Sequence, residues 1–170
     1  SENYKLNFFI DDFYFEWETT ETFINYRNSI LKMILEKLKK YNNHLISINS
    51  KLKECDGMDQ YRLYGELITA NLYRLKNNHL ESVELENYYD NNNLISIPLD
   101  IKYSPNVNAK RYFKKYSKLK NALQIVSEQK IETEREIDYI GSIVYELENS
   151  TCVEDVQEIF EEISENVVFR

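Results

Sequence analysis

The sequence predicts a mainly α fold: a long antiparallel two-helix coiled coil with a small α+β tip, made of a short helix plus a β-hairpin, and a short C-terminal helix at the base. Apolar spacing is the first ground for this. Ile24, Leu31, Leu38, Leu45 and Leu52 interleave with Ile34, Tyr41 and Ile48; Tyr112, Tyr116, Leu119, Leu123 and Val126 resume after a gap at Ile137, Ile140, Val144 and Leu147. A repeat averaging about 3.5 residues, sustained over several heptads, makes a left-handed seam between helices. Composition is the second ground: three Gly and two Pro in 170 residues leave little room for the turn-rich strands of a sandwich or barrel. The third is the turn and strand signals between the two stretches, which let the helices fold back on each other as a rod. Such a rod buries only a seam, so its core is thin for the chain length.

Taken in order, residues 8–21 are aromatic-rich and lead into helix A, with Phe13 and Trp17 spaced to continue the seam. Helix A spans 21–55 and stops at Asp56-Gly57, where Gly is expected in the left-handed conformation. The tip covers 59–103. Its short helix runs from Asp59 to Lys76, with Leu63, Tyr64, Leu67, Ala70, Asn71 and Arg74 only partly keeping helical spacing, and Asn77-Asn78 stops it. Val83, Leu85 and Tyr89 then alternate with polar residues, Asp90-Asn91-Asn92-Asn93 turns the chain, and Ile95, Ile97 and Leu99 alternate again, which is a hairpin pattern. Pro98 puts the second strand at an edge or near its end. Ser104 caps helix C, with Pro105 at its first position, and that helix covers 105–149. Thr151 and Glu154 form a capping box for the terminal helix, 152–165, whose Val153, Val156, Ile159, Phe160 and Ile163 make one stripe.

If helices A and C pair antiparallel, one register aligns Leu52 with Tyr112, Leu45 with Leu119, Leu38 with Val126, Ile24 with Ile140 and Trp17 with Leu147. The same register leaves Lys130 and Thr133 as a polar break in the seam. Polar seam residues reduce stability and can fix register. A shift by one heptad also satisfies the pattern.

The net charge of −8 hides a gradient. From Ile101 to Ser127 there is no acidic residue but seven basic ones, Lys102, Lys110, Arg111, Lys114, Lys115, Lys118 and Lys120, which leaves 14 basic against 29 acidic residues elsewhere. With Tyr112 and Tyr116 facing inward, Lys110, Arg111, Lys114, Lys115 and Lys118 cover an outer stripe of roughly 140° at 100° per residue. A solvated coiled-coil face is one reading of that stripe. Unbroken by Glu, however, it lacks i,i+4 pairing, and like charges at that spacing repel. This points to a nucleic-acid or other polyanion partner.

No catalytic constellation and no cofactor or metal site is expected. His44 and His79 have no ligand spacing with each other or with Cys55 and Cys152; the cysteines read as reduced packing residues. Glu132, Glu134 and Glu136 alternate around a helix rather than converge, and no Gly-rich phosphate loop is present. Neither a membrane span nor a signal peptide is visible, and the start at Ser1 suggests a piece of a longer chain.

Two segments carry a resemblance. YRLYGELITANLYRLK, from Tyr61 to Lys76, and NYYDNNNLISIPLDIKYSPNVNAKRYFKKYSKLKNA, from Asn87 to Ala122, closely resemble the middle region of the NFACT family, and VQEIFEEISENVVFR is similar to its closing acidic helix. Departures are small: Lys110 stands where the family often has Gln, and Asn106-Val107 where acidic or small residues are common. The resemblance implies one coiled-coil middle domain over 1–170, the arm of a cytoplasmic, non-enzymatic part of a ribosome quality-control factor. Such a factor binds obstructed large ribosomal subunits, through rRNA or a stalk-region protein, and supports tRNA-dependent C-terminal alanine tailing. The main tRNA contacts would lie in domains outside this stretch, and no membrane or small-molecule substrate is implied. A fibronectin-binding surface adhesin, as an older family name suggests, and a purely structural or dimerising coiled coil are the alternatives.

Overall fold

The computed structural model describes the backbone of residues 2–166 and the side chains of residues 20–166. In chain order it contains α1 (Glu2–Cys55), α2 (Met58–Ala70), α3 (Leu72–Leu75), β1 (Ser82–Asn87), β2 (Asn93–Pro98), α4 (Pro105–Asn149) and α5 (Val153–Glu165). These elements build two compact units, one from residues 1–46 and 131–170, the other from residues 47–130.

In the first unit the long helices pack against each other and against α5. Ile30 and Ile34 of α1, Ile140, Ile143 and Leu147 of α4, and Val156, Ile159 and Ile163 of α5 form one buried cluster. A third helix changes what α1 must bury. Its apolar face serves two neighbours and is wider than a two-helix seam, so Phe23, Tyr26, Ile30 and Ile34 supply it. Ile24, expected at the seam opposite Ile140, is 40 % exposed. From Ile34 onward, Leu38 and Tyr41 keep the expected spacing. Thr133 is buried as the polar break requires. Phe13 and Trp17 lie outside the residues whose side chains are described.

α5 departs from expectation at two points. Phe160 is 41 % exposed, because the buried stripe narrows to Val156, Ile159 and Ile163 at i,i+3,i+7 spacing. The capping box is shifted by one residue: Cys152 is the N-cap and Asp155 the reciprocal partner. Asp155 Oδ2 accepts from the Thr151 N–H at 2.9 Å, the Thr151 hydroxyl at 3.2 Å and the Cys152 N–H at 3.3 Å. The one carboxylate thus satisfies two backbone amides ahead of α5.

The second unit holds the α+β tip. Tyr64, Leu67, Ile68, Leu75, Leu85, Ile97, Ala109 and Tyr112 form its buried core. β1 and β2 pair antiparallel with Val83 opposite Ile97 and Leu85 opposite Ile95, all four facing the helices. A two-stranded sheet is marginal alone, and here its apolar face lies on α2 and the start of α4. Tyr89 falls in the turn instead of the strand and is exposed, since β1 ends at Asn87. Asn91 and Asn92 adopt φ of 48° and 59°, the left-handed region that Asn tolerates better than most residues.

Two helix boundaries also differ. Gly57 has φ −87° and serves as N-cap of α2, because only two residues separate α1 from α2 and the backbone turns without a left-handed residue. The short helix expected over 59–76 breaks at Asn71, whose side-chain amide donates to the Leu67 carbonyl at 2.8 Å. That bond offers the backbone an alternative to helical pairing. The extra turn, α3, then places Leu75 in the core.

Candidate nucleic-acid interface

The connection between β2 and α4 fixes where the basic stripe begins. Ser104 Oγ accepts from the Val107 N–H at 3.4 Å, capping α4 as its sequence predicts, and Pro105 occupies the first turn. Asn108 is 4 % exposed and ties the connection to the helix. Its Oδ1 accepts from the Asp100 N–H at 2.9 Å, and its Nδ2 donates to the carbonyls of Asp100 and Tyr103, both at 3.1 Å, and Ser104 at 3.2 Å. Asparagine is suited to this because it donates and accepts from one planar group.

Past Asn108, Ala109, Tyr112 and Phe113 face the tip. The Tyr112 ring stacks on Tyr61 at 6.0 Å and meets Tyr64 edge-on at 5.2 Å. Its hydroxyl donates to the Pro98 carbonyl. Burial, with the Tyr64 and Tyr61 phenols beside it, pushes the Tyr112 pKa up, so it stays a neutral donor. Phe113 lies over Gly65 of α2: a Cβ there would come within 2.9 Å of ring carbons. Glycine in mid-helix is explained by this close approach.

With those residues inward, Lys110, Arg111, Lys114, Lys115 and Lys118 are all exposed on one face of α4. Among the described residues, none of the five lies within ion-pair distance of a carboxylate. The cations nevertheless have neighbours. Arg111 lies over the Tyr103 ring at 4.4 Å, and Lys115 approaches Tyr61 at 5.4 Å and Tyr112 at 5.6 Å. Tyr116 takes Arg62 of α2 at 5.8 Å and Lys120 at 5.9 Å. Contacts of this kind occur roughly once per 70–80 residues in structures, so their concentration here is a local feature of this face. The rings order the cation heads without cancelling their charge.

Sequence reasoning found the stripe but missed part of its surroundings. Lys120 at i+4 from Tyr116 and Lys115 at i+3 from Tyr112 are legible as same-face pairs. Tyr61 and Arg62 reach the stripe from α2, and no local spacing announces them. Lys51, Lys53 and Lys102 are exposed in the same unit. His44 is exposed, and His79 Nδ1 lies 2.7 Å from the Ile101 carbonyl. Among the described residues no grouping of His, Cys, Asp and Glu could hold a metal ion, both cysteines are free thiols, and no helix is long and apolar enough to cross a membrane.

The family model for NFACT N-terminal and middle domains matches residues 1–170. This chain belongs to the NFACT family. Among NFACT relatives, the Rqc2 homolog RqcH of Bacillus subtilis (strain 168) is 33 % identical over 166 residues, which is 97 % of this chain and 29 % of that protein. The Rqc2 homolog RqcH of Streptococcus suis (strain 05ZYH33) is 32 % identical over 160 residues, 94 % of this chain and 28 % of that protein. This NFACT chain therefore spans under a third of the length of those relatives. A solved structure, the C-terminal part of the fibronectin/fibrinogen-binding protein from Streptococcus suis, shares the fold with a TM-score of 0.57 at 24 % identity, covering 87 % of this chain and 45 % of that one.

Proposed function

We propose that this chain is the coiled-coil arm of a ribosome quality-control factor. In this reading it binds obstructed large ribosomal subunits through Lys110, Arg111, Lys114, Lys115 and Lys118, which meet rRNA or a stalk-region protein. It supports tRNA-dependent alanine tailing of stalled chains in the cytoplasm, with tRNA contacted by other domains. The arm binds and positions; it carries no catalysis of its own. One observation carries this reading: an acid-free run of exposed cations, two of which, Arg111 and Lys115, lie over tyrosine rings, in a chain similar to Rqc2 homologs. Phosphate-binding surfaces need such undiminished positive charge.

The test is co-sedimentation of the full-length protein with purified large subunits at two salt concentrations. Changing the five stripe residues to Glu should weaken binding, and the gap from wild type should narrow as salt rises, because counterion release drives that part of the affinity. Alanine tailing should fall in parallel. Circular dichroism checks that the variant is folded. Unchanged sedimentation of a folded variant would return the stripe to a solvated helix face. The name of the solved relative favours a second reading, a fibronectin-binding surface, and immobilised fibronectin in the same experiment separates the two.

A further inference from the structure

We propose that the N-terminal end of the stripe takes unpaired nucleotides, with a base stacked on the Arg111 guanidinium while Lys110, Lys114 and Lys118 neutralise the phosphates around it. This rests on the polyanion reading above and specifies the ligand. Arg111 is exposed, and its guanidinium carbon sits 4.4 Å from the Tyr103 ring centroid. A guanidinium seated on a ring offers its other face as a flat, charged platform.

The neighbourhood is not purely ionic. Val107, one turn before Arg111 on the same helix face, is 38 % exposed, and Ile101, in the connection that carries Lys102 and Tyr103, is 51 % exposed. Exposed apolar groups beside the cations can pack against base faces, which a duplex keeps stacked inside. Single-stranded loops and bulges bring base faces that stack on aromatic rings and arginine planes.

The platform is also held in place. Asn108 fixes the backbone of Asp100, Tyr103 and Ser104, and the Ile101 carbonyl is engaged by His79. A ligand therefore meets a connection that has little ordering left to lose.

The experiment compares two RNA hairpins with the same stem and the same number of phosphates. One has a loop of ordinary nucleotides and the other an abasic loop, and binding to this chain is followed by fluorescence anisotropy at fixed salt. The intact loop should bind roughly tenfold more tightly, the order expected for stacking of one base. Arg111→Lys, which keeps the charge and loses the plane, should abolish that difference; Tyr103→Leu should do the same. Equal binding of the two loops by the wild-type chain would overturn the inference while leaving the electrostatic reading standing. A loop preference that survives Arg111→Lys would overturn the role of Arg111. Lack of salt-sensitive binding to either hairpin would overturn the nucleic-acid reading on which the inference rests.

Discussion

Replacing Asn108 should loosen the start of the basic stripe by a predictable amount. In Asn108→Ala the Asp100 N–H loses its acceptor and the Tyr103 carbonyl its side-chain donor; the Asp100 carbonyl keeps the Tyr103 N–H and the Ser104 carbonyl the Asn108 N–H, both at 3.0 Å. A neutral hydrogen bond contributes about 1 kcal/mol net, and a buried partner left unsatisfied costs about 1–3 kcal/mol. The sum is a loss of about 2–4 kcal/mol, a large share of the stability of a small domain. Asn108→Asp is the sharper variant. It retains one acceptor for the Asp100 N–H but turns a second oxygen toward three carbonyls, which raises the pKa of the new carboxyl in the folded state. The ionisation part of its penalty is absent below the unfolded carboxyl value near 4, grows as pH rises and is complete above the raised folded value. Urea unfolding followed by the near-UV tyrosine signal, with hydrogen exchange at Leu85 and Ile97, reads the second unit directly. A loss under about 0.5 kcal/mol for Asn108→Ala, the range of ordinary surface changes, would refute the reasoning. So would an aspartate variant whose stability deficit relative to wild type is smaller at neutral pH than in acid.

Gly65→Ala should destabilise the wild-type chain, since overpacking against Phe113 at about 1–3 kcal/mol outweighs a helix-propensity gain of about 1 kcal/mol; in a Phe113→Ala background the same change should stabilise, and thermal melts of the four variants decide it. Leu147→Ala, at a fully buried position, should cost about 3 kcal/mol, and Leu119→Ala, half-buried, about 1–2 kcal/mol; equal losses in denaturant titrations would contradict the burial pattern. The Asp155 carboxyl is held below its ordinary value, chiefly by the Thr151 N–H and then by Cys152. A depressed pKa stabilises above the unfolded value and is lost as pH falls through the folded one, so Asp155→Asn should lower the melting temperature at neutral pH and make no difference once pH is well below 4.

Long-range regularity was legible in the sequence, and local alternatives were not. The spacing of Ile34, Leu38 and Tyr41, and of Ile137, Ile140 and Leu147, is a property of one helix and can be counted. Ile24 and Phe160 were misassigned because the buried width of a helix depends on how many neighbours it has, which α1 and α5 settle only by packing together. The break at Asn71 turns on a side-chain amide competing with the backbone for the Leu67 carbonyl, and the shifted cap on whether Glu154 or Asp155 is the reciprocal partner; residue type alone ranks neither. At the interface, α4 displayed its own cations and its own tyrosines; Arg62 and Tyr61 arrive from another element, and Gly65 acquires its meaning only once Phe113 lies above it.

Cations seated on uncharged rings leave the electrostatic field of the molecule sharply divided by distance. Seen from far off, a partner meets a body of net charge −8 and is repelled if it is itself an anion. Within a screening length of α4, about 8 Å at physiological ionic strength, it meets Lys110, Arg111, Lys114, Lys115 and Lys118, none of which is ion-paired among the described residues. Diluting the salt lengthens both fields at once, so the two effects oppose each other during approach but not after contact.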